Sequence, residues 1–140
     1  MPGAIMKYRK RLSGPILDRI DLHIDVPPVT EDQLLEEANA ESSEAIRKRI
    51  EKARAIQKKR FLGTKINANS EMRPSDIKKI CAISSEGIAL LKQAIMKLSL
   101  SARTYFKVIK LSQTIADLEG SPTITTTHIA EALQYRPRDE

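Results

Sequence analysis

Residues 101–120 read SARTYFKVIKLSQTIADLEG, and this stretch decides the fold class because it carries a complete helix pattern. Ser101 is a favourable N-cap residue and Gly120 a favourable terminator, so a helix is predicted between them. The residues expected to face a core recur every three or four positions: Tyr105, Val108, Ile109, Ser112, Ile115 and Ala116. A stripe with that spacing needs other elements to pack against. The stretch therefore predicts one helix of a packed bundle.

Similar patterns on both sides of this stretch predict further helices and a mainly α fold. The predicted spans are a short acidic helix over 30–38, a long helix from Ser42 or Ser43 to about Phe61, and helices over 73–80, from Ser84 or Ser85 to Leu98, and over 125–135. The expected core-facing residues are Ile46, Ile50, Ala53 and Ile56, then Ile88, Leu91, Ile95 and Leu98, and finally Ile129, Ala132 and Leu133. These stripes at helical spacing favour a helical bundle.

Residues 20–26 carry a different pattern, with apolar and polar side chains in strict alternation. Such a period of two predicts a half-buried β-strand. Pro15 favours a short helix over 16–19 just before it, and Pro27 ends the strand because proline cannot donate to a sheet ladder. A lone strand cannot form a sheet, so its partners either are missing from this chain or belong to another copy.

The composition excludes several classes of site. The chain has 140 residues, of which five are glycines, one is a cysteine and two are histidines. The glycines are too scattered for a phosphate-binding loop or a dinucleotide-binding turn, and one cysteine excludes an internal disulfide. There is no run of 18 apolar residues and no signal peptide, so we expect a cytoplasmic protein without a membrane span.

The net charge of +6 is concentrated in the long predicted helix. Residues 41–60 contain eight basic and three acidic side chains. Such a face could neutralise DNA phosphates, and the candidate residues are Arg47, Lys48, Lys52, Lys58 and Lys59. The alternative is a solvated helix face with no ligand. No aromatic residues are interleaved with the basic ones, so base stacking is not predicted.

Two arginines stand out as candidate phosphate ligands. Arg103 lies in the first helical turn after Ser101, where the helix dipole disfavours a cation and favours a bound anion. Arg19 lies between the short helix and the strand, where it could reach a phosphate on another subunit. The alternatives are surface ion pairs, which for Arg19 would involve Asp18 or Asp21. No pair of side chains predicts a self-contained catalytic centre.

Four segments resemble the magnesium-chelatase-like AAA+ ATPases, and the similarity is strongest to the ComM-type (YifB-like) branch. Residues 8–27 read YRKRLSGPILDRIDLHIDVP and look like the end of the AAA+ core, while LSAR at 100–103, TIADL at 114–118 and AEALQYR at 130–136 resemble the lid. The resemblance implies a C-terminal fragment, with residues 1–27 closing the core and residues 28–140 forming the helical lid. The nucleotide-binding loop and the magnesium-holding acidic motif of such proteins lie upstream of these segments.

The same resemblance implies the roles of the two arginines. Arg19 matches the arginine finger that reaches the ATP of a neighbouring subunit, and Arg103 matches the sensor-2 arginine that contacts the γ-phosphate. The family usually has an arginine where this chain has Gln113, so that position is assigned no role based on charge.

The parent protein is expected to be a ring ATPase, as a hexamer of identical subunits, that uses ATP and Mg²⁺ to remodel DNA in branch migration or competence. The fragment alone is expected to bind neither cofactor and to be inactive. The alternatives are a basic helical DNA-binding module and a subunit partner in metal chelation.

Overall fold

The computed structural model describes residues 19–29 and 40–136, and the second range is mainly helical. Its helices are α1 (Ser43–Arg60), α2 (Pro74–Ile80), α3 (Ser85–Leu98), α4 (Ala102–Glu119) and α5 (Thr126–Gln134), with a 3₁₀ turn at Asn69–Glu71. The predicted mainly α fold is therefore confirmed. The predicted helix over 30–38 lies outside the described residues, as does all of the one over 16–19 except Arg19. None of the described helices is long and apolar enough to cross a membrane.

Helix α4 is the central element of the bundle. It packs against α1, α2, α5 and the 3₁₀ turn, while α3 packs against α5. Ser101 accepts a hydrogen bond from the amide of Thr104 at 3.1 Å and so caps the helix. Gly120 ends it with a φ of 81°, a left-handed conformation that glycine adopts without strain. Both predicted boundaries of α4 are confirmed.

The core forms mainly where α4 meets its neighbours. Its buried residues are Phe61, Met72, Ile77, Leu91, Val108, Ile109, Ala116, Ile124, Ile129 and Ala132. The predicted core-facing sides of α4 and α5 are largely confirmed by this set. Tyr105 and Phe106 pack against this core. Their two rings meet edge to face, with centroids 5.1 Å apart.

The buried face of α1 differs from the predicted stripe. Ala53 and Gln57 are buried, whereas Ile46, Ile50 and Ile56 remain 38%, 49% and 37% exposed. The buried positions, Ala53, Gln57 and the following Phe61, are spaced four residues apart at the end of the helix. Every residue from 43 to 52 is exposed. The first half of α1 thus extends beyond the core.

Helix α3 is also rotated from its predicted orientation. Leu91 is buried as predicted, together with Gly87 and Ala94, whereas Ile88 and Leu98 are 44% and 38% exposed. A Cβ atom at Gly87 would lie 3.0 Å from Ile129 Cδ1. Glycine at position 87 therefore permits the close approach of α3 to α5, which a larger residue there would hinder.

The strand predicted over 20–26 is not formed in the described stretch 19–29. Its alternating residues are exposed, by 43% at Ile20, 46% at Leu22, 65% at Ile24 and 85% at Val26. A strand requires a neighbouring strand to pair with, and the described part of the chain offers none beside this segment. The amide of His23 instead donates to the Tyr135 carbonyl at 2.9 Å.

Candidate phosphate-binding groove

The first turns of α4 border a groove of about 520 Å³. Residues 19–22 and the segment around the 3₁₀ turn form its other sides. The lining residues are Arg19, Asp21, Leu22, Ser70, Met72, Pro74, Arg103, Phe106, Lys107, Lys110, Leu111 and Thr114. The groove thus combines an apolar floor with several cationic side chains.

The charge of the groove is strongly positive. Arg19, Arg103, Lys107 and Lys110 contribute four cations, and Asp21 contributes the carboxylate in the lining. Lys110 Nζ donates to the carbonyl of Ser70 at 2.7 Å, which holds the ammonium without neutralising it. An anion with several oxygens, such as a phosphate group, is the ligand that such a surface attracts.

Arg103 is exposed on the second position of α4. Among the described residues, its guanidinium makes no ion pair or side-chain hydrogen bond, so the surface pairing considered from the sequence is not observed there. Free backbone N–H groups and the helix dipole at this end of α4 reinforce the attraction of the guanidinium for an anion.

Arg19 lines the same groove as Arg103, although the two residues are far apart in the chain. The structure therefore brings together the two arginines that the sequence singled out separately. Both side chains border the same groove of about 520 Å³.

Lys107 and Lys110 were not among the residues predicted from the sequence. They follow Arg103 by four and seven positions, and this spacing places all three on one face of a helix. Thr114 continues the same face and also lines the groove. The signal was therefore present in the sequence, as a basic stripe that begins at the N-terminus of α4.

The DNA-binding candidates on α1 lie elsewhere and do not line the groove. Arg47, Lys48, Lys52, Lys58 and Lys59 are all exposed. Lys48 pairs with Glu44 at 2.8 Å, and both side chains remain mostly in solvent. The neighbouring Arg49 makes two hydrogen bonds to Glu41, at 2.7 and 3.0 Å.

Arg60 differs from the exposed basic residues of α1 described above, because its side chain binds inside the bundle. It binds both carboxylate oxygens of Asp117, whose side chain is fully buried, and donates to Asn69 Oδ1 at 2.9 Å. Asn69 Nδ2 in turn donates to Asp117 Oδ2 at 2.8 Å and to Thr114 Oγ1 at 3.1 Å. The hydrogen bonds to Asp117 raise the pKa of Arg60 above its usual value, against the opposing effect of burial. This cluster secures the side of the bundle next to the groove.

His128 and Cys81 both contact the packed interior of the bundle. His128 is buried, accepts a hydrogen bond from the Thr125 amide at 3.0 Å through Nδ1, and contacts Glu119 through Nε2. Cys81 packs against the core, and burial raises the pKa of its thiol to about 11. No group of three or more potential metal ligands occurs within 19–29 and 40–136.

Comparison with known families accounts for nearly the whole chain. Residues 40–136 match the family model described as "Magnesium chelatase, subunit ChlI C-terminal". The chain belongs to this family. Residues 1–34 match a second model, "Magnesium chelatase, subunit ChlI".

Two curated relatives illustrate the extent of the similarity. The competence protein ComM of Haemophilus influenzae is 41% identical over 136 residues, covering 96% of this chain and 26% of that protein. The uncharacterized protein YifB of Salmonella typhimurium is 35% identical over 139 residues, covering 99% of this chain and 27% of that protein. The chain thus spans about a quarter of these relatives and corresponds to their C-terminal part.

Proposed function

We propose that this chain forms the end of the core and the lid of a ring-shaped AAA+ ATPase that remodels DNA, and that its basic groove receives the phosphates of ATP. The observation that carries the proposal is the convergence of Arg19 and Arg103 on one groove at the start of α4. The membership of the magnesium chelatase ChlI C-terminal family supports it.

Arg103 acts in this proposal as the sensor that contacts the γ-phosphate, and Arg19 as the arginine finger. Both stabilise the negative charge that builds up on the phosphoryl oxygens during transfer. Arginine suits both roles because its planar guanidinium is always charged and donates two parallel hydrogen bonds. The loop that cradles ATP and the ligands of Mg²⁺ come from another part of the protein.

The shared groove implies that both arginines serve the same nucleotide. If Arg19 reaches the ATP of a neighbouring subunit, Arg103 of the same chain reaches that ATP too. Each interface of the ring, which we propose to be a hexamer, would then be completed by one chain's groove.

Steady-state ATP hydrolysis by the complete protein tests the two roles. We expect Arg19→Ala to lower kcat about a thousandfold or more, the effect typical of an arginine finger. Arg103→Ala should also lower kcat. Lys92→Ala is the matched control, because Lys92 is an exposed cation on α3 that does not line the groove. Turnover within twofold of wild type in both arginine variants would refute the proposal.

Mixing the two inactive variants tests whether the arginines serve one nucleotide. In an equal mixture of Arg19→Ala and Arg103→Ala subunits, every groove still lacks one arginine, so activity should stay at the level of the separate variants. If the arginines acted on different nucleotides, about a quarter of the sites in a randomly mixed ring would be intact. Recovery to that level would show that the two arginines do not share a site.

A second candidate function, DNA binding by α1, is favoured by the exposure of the whole first half of that helix. Arg47 and Lys52 lie in the exposed stretch 43–52, while Lys58 and Lys59 follow near the end of the helix. The ion pairs of Lys48 and Arg49 are on the surface, where such pairs contribute little and compete poorly with a phosphate. One of the similar proteins is named a competence protein, which agrees with DNA as the substrate proposed for this chain.

The salt dependence of DNA affinity tests this second function. Each lost phosphate contact should reduce the slope of log K against log salt concentration by about 1. The double variant Arg47→Ala/Lys52→Ala should therefore reduce it by about 2, while Lys92→Ala/Lys97→Ala on α3 serves as the charge-matched control. Equal slopes for both double variants would exclude α1 as the DNA contact.

A further inference from the structure

Lys107 makes a contact that the roles of the two arginines do not use. Its ammonium donates to the backbone carbonyl of Ile20 at 2.6 Å, across 87 positions of the chain. Ile20 directly follows Arg19, so this hydrogen bond joins α4 to the backbone next to the proposed arginine finger.

The segment around Arg19 depends on such contacts because it buries little apolar surface. From Ile20 to Val26 the exposure of its apolar side chains rises from 43% to 85%, so the segment leaves the bundle progressively. The Lys107 contact lies at its beginning, where the chain borders the groove. A second hydrogen bond, of 2.9 Å from the His23 amide to the Tyr135 carbonyl, holds the segment three residues further along.

Lys107 lies on the same face of α4 as Arg103 and contacts the residue next to Arg19. Lys107 lies one helical turn after Arg103, about 6 Å further along the axis of α4. Holding the Ile20 carbonyl at this point keeps the backbone of Arg19 beside the same face of the helix.

We propose that Lys107 is a positioning residue, which holds Arg19 beside Arg103 and so prepares the groove for a phosphate group. This inference rests on the proposed function of the two arginines. Lys107 acts through Arg19, since its ammonium is engaged by the protein backbone. A preorganised pair of cations stabilises a transition state more than a pair that must first assemble.

The kinetics of the complete ATPase test this role through a conservative rescue. Lys107→Met keeps the length of the side chain and removes the donor, and we expect kcat to fall about ten- to a hundredfold while KM changes much less. Lys107→Arg retains a donor and should recover most of the lost kcat. Lys92→Met on α3 is the matched control. Equal kcat values for Lys107→Met and Lys92→Met would overturn the proposal.

A double variant shows whether Lys107 acts through Arg19. If it does, Lys107→Met should cause no further loss in an Arg19→Ala background, because there is no finger left to position. Additive losses would mean that Lys107 contacts the phosphate itself or acts elsewhere, and would overturn the positioning role. If Arg19→Ala alone leaves turnover unchanged, the proposed function of Arg19 has failed instead.

Hydrogen exchange of the same proteins without nucleotide provides a readout that is independent of catalysis. Lys107→Met should increase amide exchange in residues 19–29 and leave α3 unchanged, while Lys107→Arg should restore the slower exchange. Unchanged exchange in 19–29 would show that the contact does not hold the segment, whatever the fate of the ATPase proposal.

Discussion

Arg60 packs against α4 and Arg103 lies in its first turn, but the surroundings of the two charges are opposite. Arg60 is enclosed near the end of α4, with 17% of its side chain exposed and a bidentate contact to the buried carboxylate of Asp117. Arg103 is open to solvent at the other end, among further cations. An enclosed and compensated arginine stabilises a fold, whereas an exposed arginine without a compensating carboxylate suits a ligand. The surroundings of each residue, and not its type, indicate its role.

Removal of Asp117 should have the largest effect on stability. Asp117→Ala leaves the guanidinium of Arg60 and the amide of Asn69 without their main acceptor inside the bundle. Loss of one partner from a buried ion pair costs about 3–5 kcal/mol. Urea unfolding followed by circular dichroism measures this loss.

The matched control for this prediction is an exposed carboxylate. Glu131→Ala removes a surface side chain whose contact with the Tyr135 hydroxyl is 3.3 Å long, so stability should change by about 0.5 kcal/mol or less. A loss below about 1 kcal/mol in Asp117→Ala would contradict the view that this pair supports the fold.

The contrast between the two arginines could not be read fully from the sequence. Cap residues and apolar spacing predicted the helices, because these signals act over three or four residues. Arg60 looked like one more cation of a basic helix, since its partner Asp117 is 57 positions away and no local pattern joins them. The buried faces of α1 and α3 differ from the predicted ones for the same reason, because they depend on long-range packing: α1 packs against α4, and Gly87 of α3 approaches Ile129 of α5.

The groove was predicted only in part. The sequence predicts Arg103 and Arg19 separately as candidate phosphate ligands, and the family resemblance implies their roles, but the groove that both line depends on how residues 19–22 lie against α4. The basic stripe formed by Lys107 and Lys110 could have been found from its spacing alone. What the spacing could not provide is the bond from Lys107 to the Ile20 carbonyl, which joins two distant segments.

Cys81 offers a chemical probe of the buried pair, with an intermediate effect. Burial raises the pKa of its thiol to about 11, while the charge of Arg60 lowers it and that of Asp117 raises it. Asp117→Asn removes the carboxylate that raises the pKa of Cys81 and leaves the Arg60 charge that lowers it. The pKa should therefore fall, and alkylation at pH 8 should become about threefold faster or more. Arg60→Gln should have the opposite effect and slow the reaction.

The opposite signs make this measurement independent of stability. General loosening of the bundle would accelerate alkylation in both variants, whereas the electrostatic effect accelerates one and slows the other. Because the folded pKa lies above the unfolded value of about 9, the thiol contributes stability below pH 9 that is lost as the pH rises towards 11. Cys81→Ala should remove this part of the pH dependence.

Replacement of Arg103 should have the smallest effect on stability, and with the opposite sign. A cation in the first turn of a helix opposes the helix dipole, so Arg103→Ala should stabilise the fold by about 0.3–1 kcal/mol at low ionic strength. The gain should shrink in salt, because exposed charges are screened.

Inorganic tripolyphosphate should favour the wild type instead. It should raise the Tm of the wild type more than that of Arg103→Ala, since only the wild type keeps this guanidinium to bind the anion. Equal shifts in Tm would show that Arg103 does not contribute to anion binding. The contrast between a structural Arg60 and a ligand-binding Arg103 would then be wrong.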